Sequence, residues 1–401
     1  MREPSILDAY VSFRFRDYRL LLAGNFLTTI AMQTMSVAIG WDLYLATRSP
    51  VVLGNVGIAQ VIPFLLFALK AGQYADRHNR KRILLITQVT MLACMALLAA
   101  STRSVWLIYF CLFLIATARA FQGPARFAIL PHTIPNAALG NAITWNSSSN
   151  EIASIGGPAL AGLLLAQTGS AMVYAIVFGF SLLSFGCFAM IRSGQPHVVA
   201  SSQPIRITEG VRFVWGNKLL LSTMSLDMIA VLFGGATALL PIYAVDILHV
   251  GAQGLGWLRA APCIGAVSMS LLMAHWGRIH RAGPALLWAV GGFGAATIVF
   301  GISRNMYLSF SMLVLTGVCD NVSVVLRHSL VQQDTPDALR GRVLAVKNIF
   351  ISCSNQLGAV ESGYAALLLG ATGSVVSGGI ATIAIVGIFV LCSRSLRAWK
   401  Q

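Results

Sequence analysis

The chain has 401 residues, of which 57% are hydrophobic and only 10% are charged. An average soluble chain has about 25% charged residues, so a soluble enzyme of this length could not cover its surface with so few. The net charge is +15, but the basic residues fall in short gaps between apolar runs and form no basic stripe. We therefore expect a lipid bilayer, and no nucleic acid, as the partner of an all-α membrane protein.

Apolar runs long enough to span a bilayer follow one another along the whole chain, and we count twelve. A spanning helix needs about 20 mostly apolar residues. The runs cover residues 20–46, 51–74, 83–102, 105–125, 140–167, 171–191, 219–246, 253–275, 285–302, 306–328, 343–369 and 374–393. The sequence thus predicts twelve transmembrane helices.

The basic residues predict how these helices are oriented. The gaps between runs alternate between the two sides of the membrane. Those on one side hold only Arg48, Arg103 and Arg304, whereas most of the 28 lysines and arginines fall on the other side. Arg126 and Arg327 are counted there as loop charges. Because cytoplasmic loops are enriched in Lys and Arg, we predict that both termini are cytoplasmic.

The middle of the chain divides it into two similar parts. The longest gap, 192–218, contains prolines and serines, and we interpret it as a cytoplasmic linker between six-helix halves at 1–191 and 219–401. At an offset of 201 residues Arg126 corresponds to Arg327, and several glycines and a proline also recur. Two parallel repeats imply a pseudo-two-fold axis along the membrane normal and a substrate site between the halves.

The loop after the second run has an ordered pattern of small and charged residues. They are Gly72, Asp76, Arg77, Asn79, Arg80 and Lys81. This pattern resembles the loop signature of the major facilitator superfamily, with Asn79 where the family usually has a glycine. Gly72 permits close helix approach, and Asn79 tolerates a left-handed turn. The resemblance implies that Asp76 docks on a neighbouring helix end as part of a gate. Alternatively, the charges of this loop only fix the orientation of the helices in the membrane.

The fourth and fifth runs carry two further signatures. Arg119, followed by Gln122 and Gly123, resembles the superfamily's fourth-helix pattern, which is associated with proton coupling; a structural ion pair is the alternative. Gly157, Pro158 and Gly162 resemble the fifth-helix pattern of exporters, although ordinary packing of small residues is also possible. The spanning regions contain other charged residues at Asp42, Glu151, Asp227, Arg259, Asp320 and Glu361.

A charged group inside a bilayer is costly, so these residues are expected to face a partner or a watery cavity. The resemblance places the first, fourth, seventh and tenth helices around the cavity, with Asp42, Arg119, Asp227 and Asp320 on them. Asp42 could instead mark the outer end of its helix. The repeat makes Arg119 and Asp320 a candidate pair.

The remaining site candidates are assigned by chemistry. Glu151 is the first candidate for a protonatable carboxylate, although it could pair with Arg119. Arg259 and Glu361 are cavity candidates, and Trp145 could stack on an aromatic substrate. We find no zinc-binding spacing and no phosphate-binding loop, so we expect no metal and no cofactor. The resemblance to the superfamily implies a proton gradient as the energy source.

Stretches such as Gly40-Trp41-Asp42 and Pro124-Ala125-Arg126 resemble the macrolide-efflux and enterobactin-exporter branch of the superfamily. That resemblance implies a proton-coupled exporter of a small organic molecule, a siderophore or drug, in the bacterial inner membrane. Because we expect a single central cavity, we predict a functional monomer. An importer or facilitator of a metabolite or iron chelate on the same fold, or a lipid flippase, is the alternative.

Overall fold

The computed structural model describes residues 10–100, 104–192, 207–276, 280–393, 396–397 and 399. Within these ranges the regular secondary structure is entirely helical, and no β-strand is found. The prediction of an all-α protein is therefore confirmed for the described part of the chain.

Six long helices form the first part of the chain. They are α1 (Arg16–Thr47), α2 (Pro50–Arg77), α3 (Arg80–Ala100), α4 (Val105–Ile129), α5 (Leu139–Thr168) and α6 (Ser170–Ala189). A 3₁₀ turn at Val11–Arg14 precedes α1. Ser104 caps the start of α4, because its side chain accepts a hydrogen bond from the backbone N–H of Leu107, which is the usual N-terminal cap.

Seven further helices follow. They are α7 (Ile207–Gly216), α8 (Lys218–Phe233), α9 (Leu240–Ile242), α10 (Gly251–Trp276), α11 (Ala282–Ile302), α12 (Met306–Asp334) and α13 (Asp337–Cys392). Helix α7 lies inside the predicted linker 192–218, so the last part of that segment is helical.

The seventh predicted run, 219–246, is broken rather than continuous. Helix α8 ends at Phe233, and after Gly234 and Gly235 the chain continues as a 3₁₀ segment, the short α9 and a π-helical turn. A Cβ added at Gly235 would lie 2.7 Å from the carbonyl oxygen of Gly358. Glycine is a weak helix former, and here it also allows the backbone of α13 to come close.

Helix α13 is 56 residues long and is not one uniform helix. Gly370 has φ 74° and ψ 166°, a conformation that favours glycine because it has no Cβ. Two helices are therefore joined at Gly370, which falls between the predicted runs 343–369 and 374–393.

Ten helical segments of the described residues are long and apolar enough to cross a membrane. The protein is thus a multi-pass membrane protein, while the predicted count of twelve is not reached by this criterion. Helix α5 is 30 residues long but is not among the ten; it carries Asn146, Asn150 and Glu151 together with consecutive serines. The segment Gly341–Cys392 counts once although it contains Gly370.

The chain forms two compact units. The N-terminal unit contains α1 up to Asp42, α2 from Ile62, and α3 to α6. The C-terminal unit contains α7 to α13 together with residues 43–61. The division of the fold into halves at 1–191 and 219–401 stays a prediction.

Residues 43–61 pack on the rest of the C-terminal unit through small and polar side chains. A Cβ added at Gly57 would lie 2.3 Å from the carbonyl oxygen of Gln356, and Gln356 Nε2 donates to Gln60 Oε1 at 3.2 Å. At the other end of the segment, Arg48 forms a salt bridge with Asp246 at 2.9 Å. Close backbone approach at small residues is typical of helix packing in membranes.

Candidate functional site

The C-terminal unit contains a buried ion pair between α8 and α12. Arg327 on α12 forms a salt bridge with Asp227 on α8, and only 4% and 9% of the two side chains are exposed. Arg327 Nε also donates to the carbonyl oxygen of Ser323 at 3.1 Å and to its Oγ at 3.2 Å. The guanidinium thus has the partners that a buried charge requires.

A second carboxylate, Asp320, lies two helical turns before Arg327 on the same helix. Asp227, Asp320 and Ser323 line one small pocket, together with apolar residues of α8 and α11. Among the described residues, no basic side chain forms a salt bridge with Asp320. Helix α12 is held tightly here, because a Cβ added at Gly317 would lie 1.8 Å from the carbonyl oxygen of Pro262 on α10.

Lys347 on α13 adds a further buried charge to this cluster. Its side chain is 6% exposed, and its Nζ lies 3.5 Å from Nδ1 of His328. Lys347 interacts electrostatically with both Asp227 and Arg327. We call Asp227, Arg327 and Lys347 the C-triad.

The N-terminal unit has a corresponding polar cluster. Arg126 Nε on α4 donates to Asn25 Oδ1 on α1 at 2.6 Å. The Nδ2 of Asn25 donates to Asn146 Oδ1 on α5 at 3.0 Å, so Asn25 links the other two side chains. We call Asn25, Arg126 and Asn146 the N-triad.

The two triads occupy repeat-related positions. Asn25 precedes Asp227 by 202 residues, and Arg126 and Asn146 precede Arg327 and Lys347 by 201. The offset found in the sequence therefore relates two sets of side chains that are in contact or in electrostatic range within their own units. The correspondence gives the repeat a physical basis. In the N-terminal unit an arginine of α4 binds α1, and in the C-terminal unit an arginine of α12 binds α8.

This arrangement corrects the interpretation of Arg126 and Arg327 as loop charges. Both lie inside helices, α4 and α12, and both bind a polar side chain of a neighbouring helix. The sequence signal that could have identified them is the repeat itself, because both members of a corresponding pair were arginines.

The side chains of Arg119 and Glu151 are both exposed. Arg119 lies two helical turns before Arg126 on α4. No hydrogen bond or salt bridge joins Arg119 to Glu151 in the described part of the chain. The pairing of Arg119 with Asp320 stays a prediction, as does a coupling role for any of these three residues.

Asp42 and Trp145 are engaged in contacts inside the N-terminal unit. Asp42 accepts hydrogen bonds from Ser170 Oγ and, at 2.9 Å, from Tyr174 OH, which ties α1 to the start of α6. The ring of Trp145 lies 5.0 Å from that of Phe13 in an edge-on arrangement. These contacts give each residue a structural role; a role in substrate binding stays a prediction.

The remaining two cavity candidates, Arg259 and Glu361, also form hydrogen bonds within the C-terminal unit. Arg259 Nη1 donates to the carbonyl oxygen of Thr237 at 2.7 Å, in the irregular segment after α8. A broken helix leaves carbonyl groups without helical partners, and Arg259 satisfies one of them. Glu361 is half-buried and accepts a 3.3 Å hydrogen bond from Ser362 Oγ.

The loop between α2 and α3 binds helix ends through its basic side chains. Lys81 Nζ donates to the carbonyl oxygens of Ala189 and Ile191, each at 2.7 Å, at the end of α6. Arg80 Nη1 donates to the carbonyl oxygen of Ala128 at 2.9 Å, in the last turn of α4. Both cations lie where the helix dipole favours positive charge.

Two expectations for this loop are wrong in detail. Asn79 is not among the residues with positive φ; instead its Oδ1 accepts a hydrogen bond from the N–H of Arg82 at 3.1 Å and caps α3. No described atom of another element lies within 4 Å of a Cβ added at Gly72, so no close approach depends on it. Arg77 is exposed, and the side chain of Asp76 lies outside the described residues.

The glycine–proline signature of α5 is a point of close helix contact. A Cβ added at Gly157 would lie 2.5 Å from Cβ of Gln33 on α1, and Thr34 Oγ1 donates to the Gly157 carbonyl oxygen at 3.0 Å. Pro158 and Gly162 are buried. The signature therefore positions α5 against α1.

A sequence profile of the transmembrane secretion effector family matches residues 8–401. The chain belongs to this family. The transmembrane secretion effectors are transporters of the major facilitator superfamily, so the resemblance found in the loop and helix signatures is confirmed.

Two curated relatives align with this transporter over most of its length. It is 25% identical to the multidrug efflux pump Tap of Mycobacterium tuberculosis over 328 residues, which is 77% of each chain. It is 22% identical to the enterobactin exporter EntS of Escherichia coli over 400 residues, covering 96% of this chain and 93% of the relative. The resemblance to the enterobactin-exporter branch is thereby confirmed.

The fold is also found in solved structures. A bacterial homologue of the lysosomal transporter Spinster superposes with a TM-score of 0.78 at 14% identity, over 95% of this chain and 97% of that one. The nucleoside transporter NupG gives a TM-score of 0.75 at 11% identity, over 94% and 100% of the two chains. At these identities the likeness shows the fold alone.

Proposed function

We propose that this transporter is a secondary active exporter of a small organic molecule, a siderophore or drug. The observation that carries the direction of transport is that Tap and EntS, which align over most of the chain, are both exporters. The close contact of α5 with α1 at Gly157 lies at the exporter-like signature and supports the same direction.

The proposed architecture has twelve spans in two pseudo-symmetric six-helix halves, 1–191 and 219–401, joined by the linker 192–218. The ten candidate segments become twelve when α5 is included and α13 is divided at Gly370. Helix α5 is polar along part of its length, which suits a helix that lines a cavity rather than one that faces lipid. The repeat-related triads support two halves built on one plan.

The proposed energy source is a proton gradient, with no bound cofactor or metal, and the site of coupling is the cluster around Asp320. Asp320 shares a pocket with Asp227, while Arg327 is bound to Asp227. Ionisable residues inside a membrane mark proton relays and ion pathways. A proton on Asp320 would change the charge of this pocket and so favour one conformer over another.

Arg119 and Glu151 are the coupling candidates of the N-terminal unit. Both side chains are exposed on helices of the membrane-spanning region, and an unpaired charge facing lipid costs a few kcal/mol or more. We therefore assign them to a watery cavity, where a partly polar substrate would also bind. The transporter would work as a monomer in the bacterial inner membrane, with both termini in the cytoplasm.

The test compares cells that express the wild type, Asp320→Asn or Asp334→Asn with cells that carry an empty vector. Asp334→Asn is the matched control, since Asp334 is an exposed aspartate at the end of the same helix. The contents of the medium and of the cells are measured by untargeted mass spectrometry, with and without a protonophore.

We expect a compound that accumulates outside cells with the wild type and with Asp334→Asn, and only while the gradient is intact. Asp320→Asn should abolish gradient-driven accumulation. A compound that instead accumulates inside the cells would show an importer. A flippase would be shown by a separate measurement, in which the exposure of a phospholipid on the outer leaflet depends on the wild-type protein. Export that survives the protonophore would exclude proton coupling.

A further inference from the structure

Helix α7 is a short helix docked on the C-terminal unit. Val214 is buried in the core of that unit, and a Cβ added at Gly210 would lie 2.9 Å from the carbonyl carbon and oxygen of Arg342 at the start of α13. Glu209 forms a salt bridge with Arg342. One face of α7 is therefore fixed against α13.

The end of α7 lies next to the start of a candidate membrane span. Helix α7 ends at Gly216, and α8 starts at Lys218, the first residue of the candidate span Lys218–Ile247. Asn217 separates them, and its Oδ1 caps α8 by accepting from the N–H groups of Leu219 and Leu220 at 3.0 and 3.2 Å. Since a spanning helix begins at the membrane surface, α7 lies at the boundary between bilayer and water.

A second face of α7 is apolar and exposed. Val211 is 37% exposed and Trp215 is 67% exposed, and residues four apart lie on the same side of a helix. Tryptophan is enriched at membrane interfaces because its ring is apolar and its N–H is polar. This stripe lies beside the face that packs on α13.

Cationic side chains flank the apolar stripe. Arg212 and Lys218 are both exposed, and within the described ranges neither forms a salt bridge with a carboxylate. Glu209, the acidic residue of α7, is bound to Arg342 and does not neutralise them. An exposed apolar stripe bordered by basic residues is the pattern of a helix that lies in the plane of an acidic membrane surface.

We propose that α7 is an interfacial anchor that binds acidic phospholipids at the membrane surface where α8 begins. Val211 and Trp215 lie at the boundary between headgroups and acyl chains, while Arg212 and Lys218 bind lipid phosphates. With the termini inside, this is the cytoplasmic leaflet. Because α7 is bound to the start of α13 at Arg342, the lipid contact also fixes the position of that helix end. This binding does not depend on the direction of transport.

The depth of α7 in the bilayer tests the proposal directly. The seven native cysteines are replaced, and the full-length protein carries one spin label at Val211→Cys or, as the control, at Asp334→Cys, an exposed position at the end of α12. Each protein is reconstituted into vesicles of phosphatidylcholine mixed with phosphatidylglycerol. Accessibility to oxygen, which concentrates in the bilayer, is compared with accessibility to a water-soluble nickel chelate.

We expect the label at 211 to be reached mainly by oxygen and the label at 334 mainly by the nickel chelate. If both labels are reached mainly by the nickel chelate, α7 stands in water and the proposal is wrong. If the label at 211 is shielded from both reagents, protein rather than lipid covers the face, which also overturns it. Retained fold in the cysteine-free background is checked by thermal unfolding against the wild type.

The charges are tested separately. Each cation close to an acidic membrane surface is worth about fivefold in binding. We expect Arg212→Gln with Lys218→Gln to raise nickel access at label 211 in mixed vesicles several-fold, and replacing phosphatidylglycerol by phosphatidylcholine to do the same in the unsubstituted helix. Arg82→Gln, an exposed arginine at the start of α3, should change nothing. An equal response of the Arg82 variant, or none from the double variant, would contradict specific recognition by α7.

Discussion

The N-triad and the C-triad place an arginine at the same point of two repeated halves and surround it differently. Arg126 is bound by the neutral amide of Asn25, which in turn binds the amide of Asn146. Arg327 is bound by a carboxylate and lies within electrostatic range of the ammonium group of Lys347. Each triad has a net charge of about +1 with its groups in their usual ionised forms, but only the C-triad contains a group that can bind a proton and thereby change that charge.

The difference indicates which half carries the more demanding chemistry. A buried ion pair is expensive to form, because two charges lose their hydration, and it is strongly destabilising to break. A hydrogen bond from an arginine to an amide contributes less, typically about 1.5–3 kcal/mol. The amides of the N-triad are suited to holding helices together. The ionised groups of the C-triad, beside Asp320, are suited to a change of protonation state.

The largest effect is expected from removing the carboxylate of the C-triad. Asp227→Ala leaves Arg327 buried without its partner, and breaking a buried pair in this way costs about 3–5 kcal/mol. Unfolding of the purified protein in detergent measures the loss. The control is Asp334→Ala, at an exposed position of α12, which should be close to the wild type. A loss for Asp227→Ala below about 1 kcal/mol would show that the pair is not stabilising.

The corresponding change in the N-triad should be smaller. Asn25 is 7% exposed, and Asn25→Ala removes its hydrogen bonds to Arg126 and Asn146. We expect a loss of about 1.5–3 kcal/mol, the range for a hydrogen bond to a charged group, in the same unfolding measurement. If Asn25→Ala costs as much as Asp227→Ala, the two triads do not differ energetically and the comparison fails.

A third experiment converts the composition of one triad into that of the other. Asp227→Asn combined with Lys347→Asn gives the C-triad the residue types of the N-triad. The double variant should be more stable than the sum of the single losses predicts, by about 0.5–3 kcal/mol, because the two sites interact. The unfolding free energies of both single variants and the double variant provide the cycle. Additive losses would mean that Lys347 does not contribute to the triad.

The sequence predicted the repeat and the helical nature of the chain, but not the partners inside each half. The count of basic residues places Arg126 and Arg327 among the loop charges, whereas each lies in a helix and binds a side chain of a neighbouring helix. Asn25 gave no signal of its own, since an isolated amide in an apolar run is compatible with many contacts. Such pairing depends on which helices pack together.

The helix ends show the same limit. The basic loop signature identified Arg80 and Lys81, but only the fold shows that they bind carbonyl oxygens at the ends of α4 and α6. Asn79 occupies the glycine position of the signature and so suggests a left-handed turn, whereas in the structure it caps α3. A residue type that suits two local roles does not reveal which one the chain uses.

The smallest effect is expected from giving the N-triad a carboxylate. Asn25→Asp is nearly isosteric and places an acid where the repeat has Asp227. The attraction to Arg126 should roughly offset the cost of burying the new charge, so we expect the unfolding free energy to change by about 1 kcal/mol or less. Asn25→Leu, which cannot accept from Arg126, is the control and should lose more. If Asn25→Asp is instead as damaging as Asp227→Ala, the N-terminal unit cannot accommodate an ion pair at this point. The difference between the triads would then lie in what surrounds them rather than in the residues that form them.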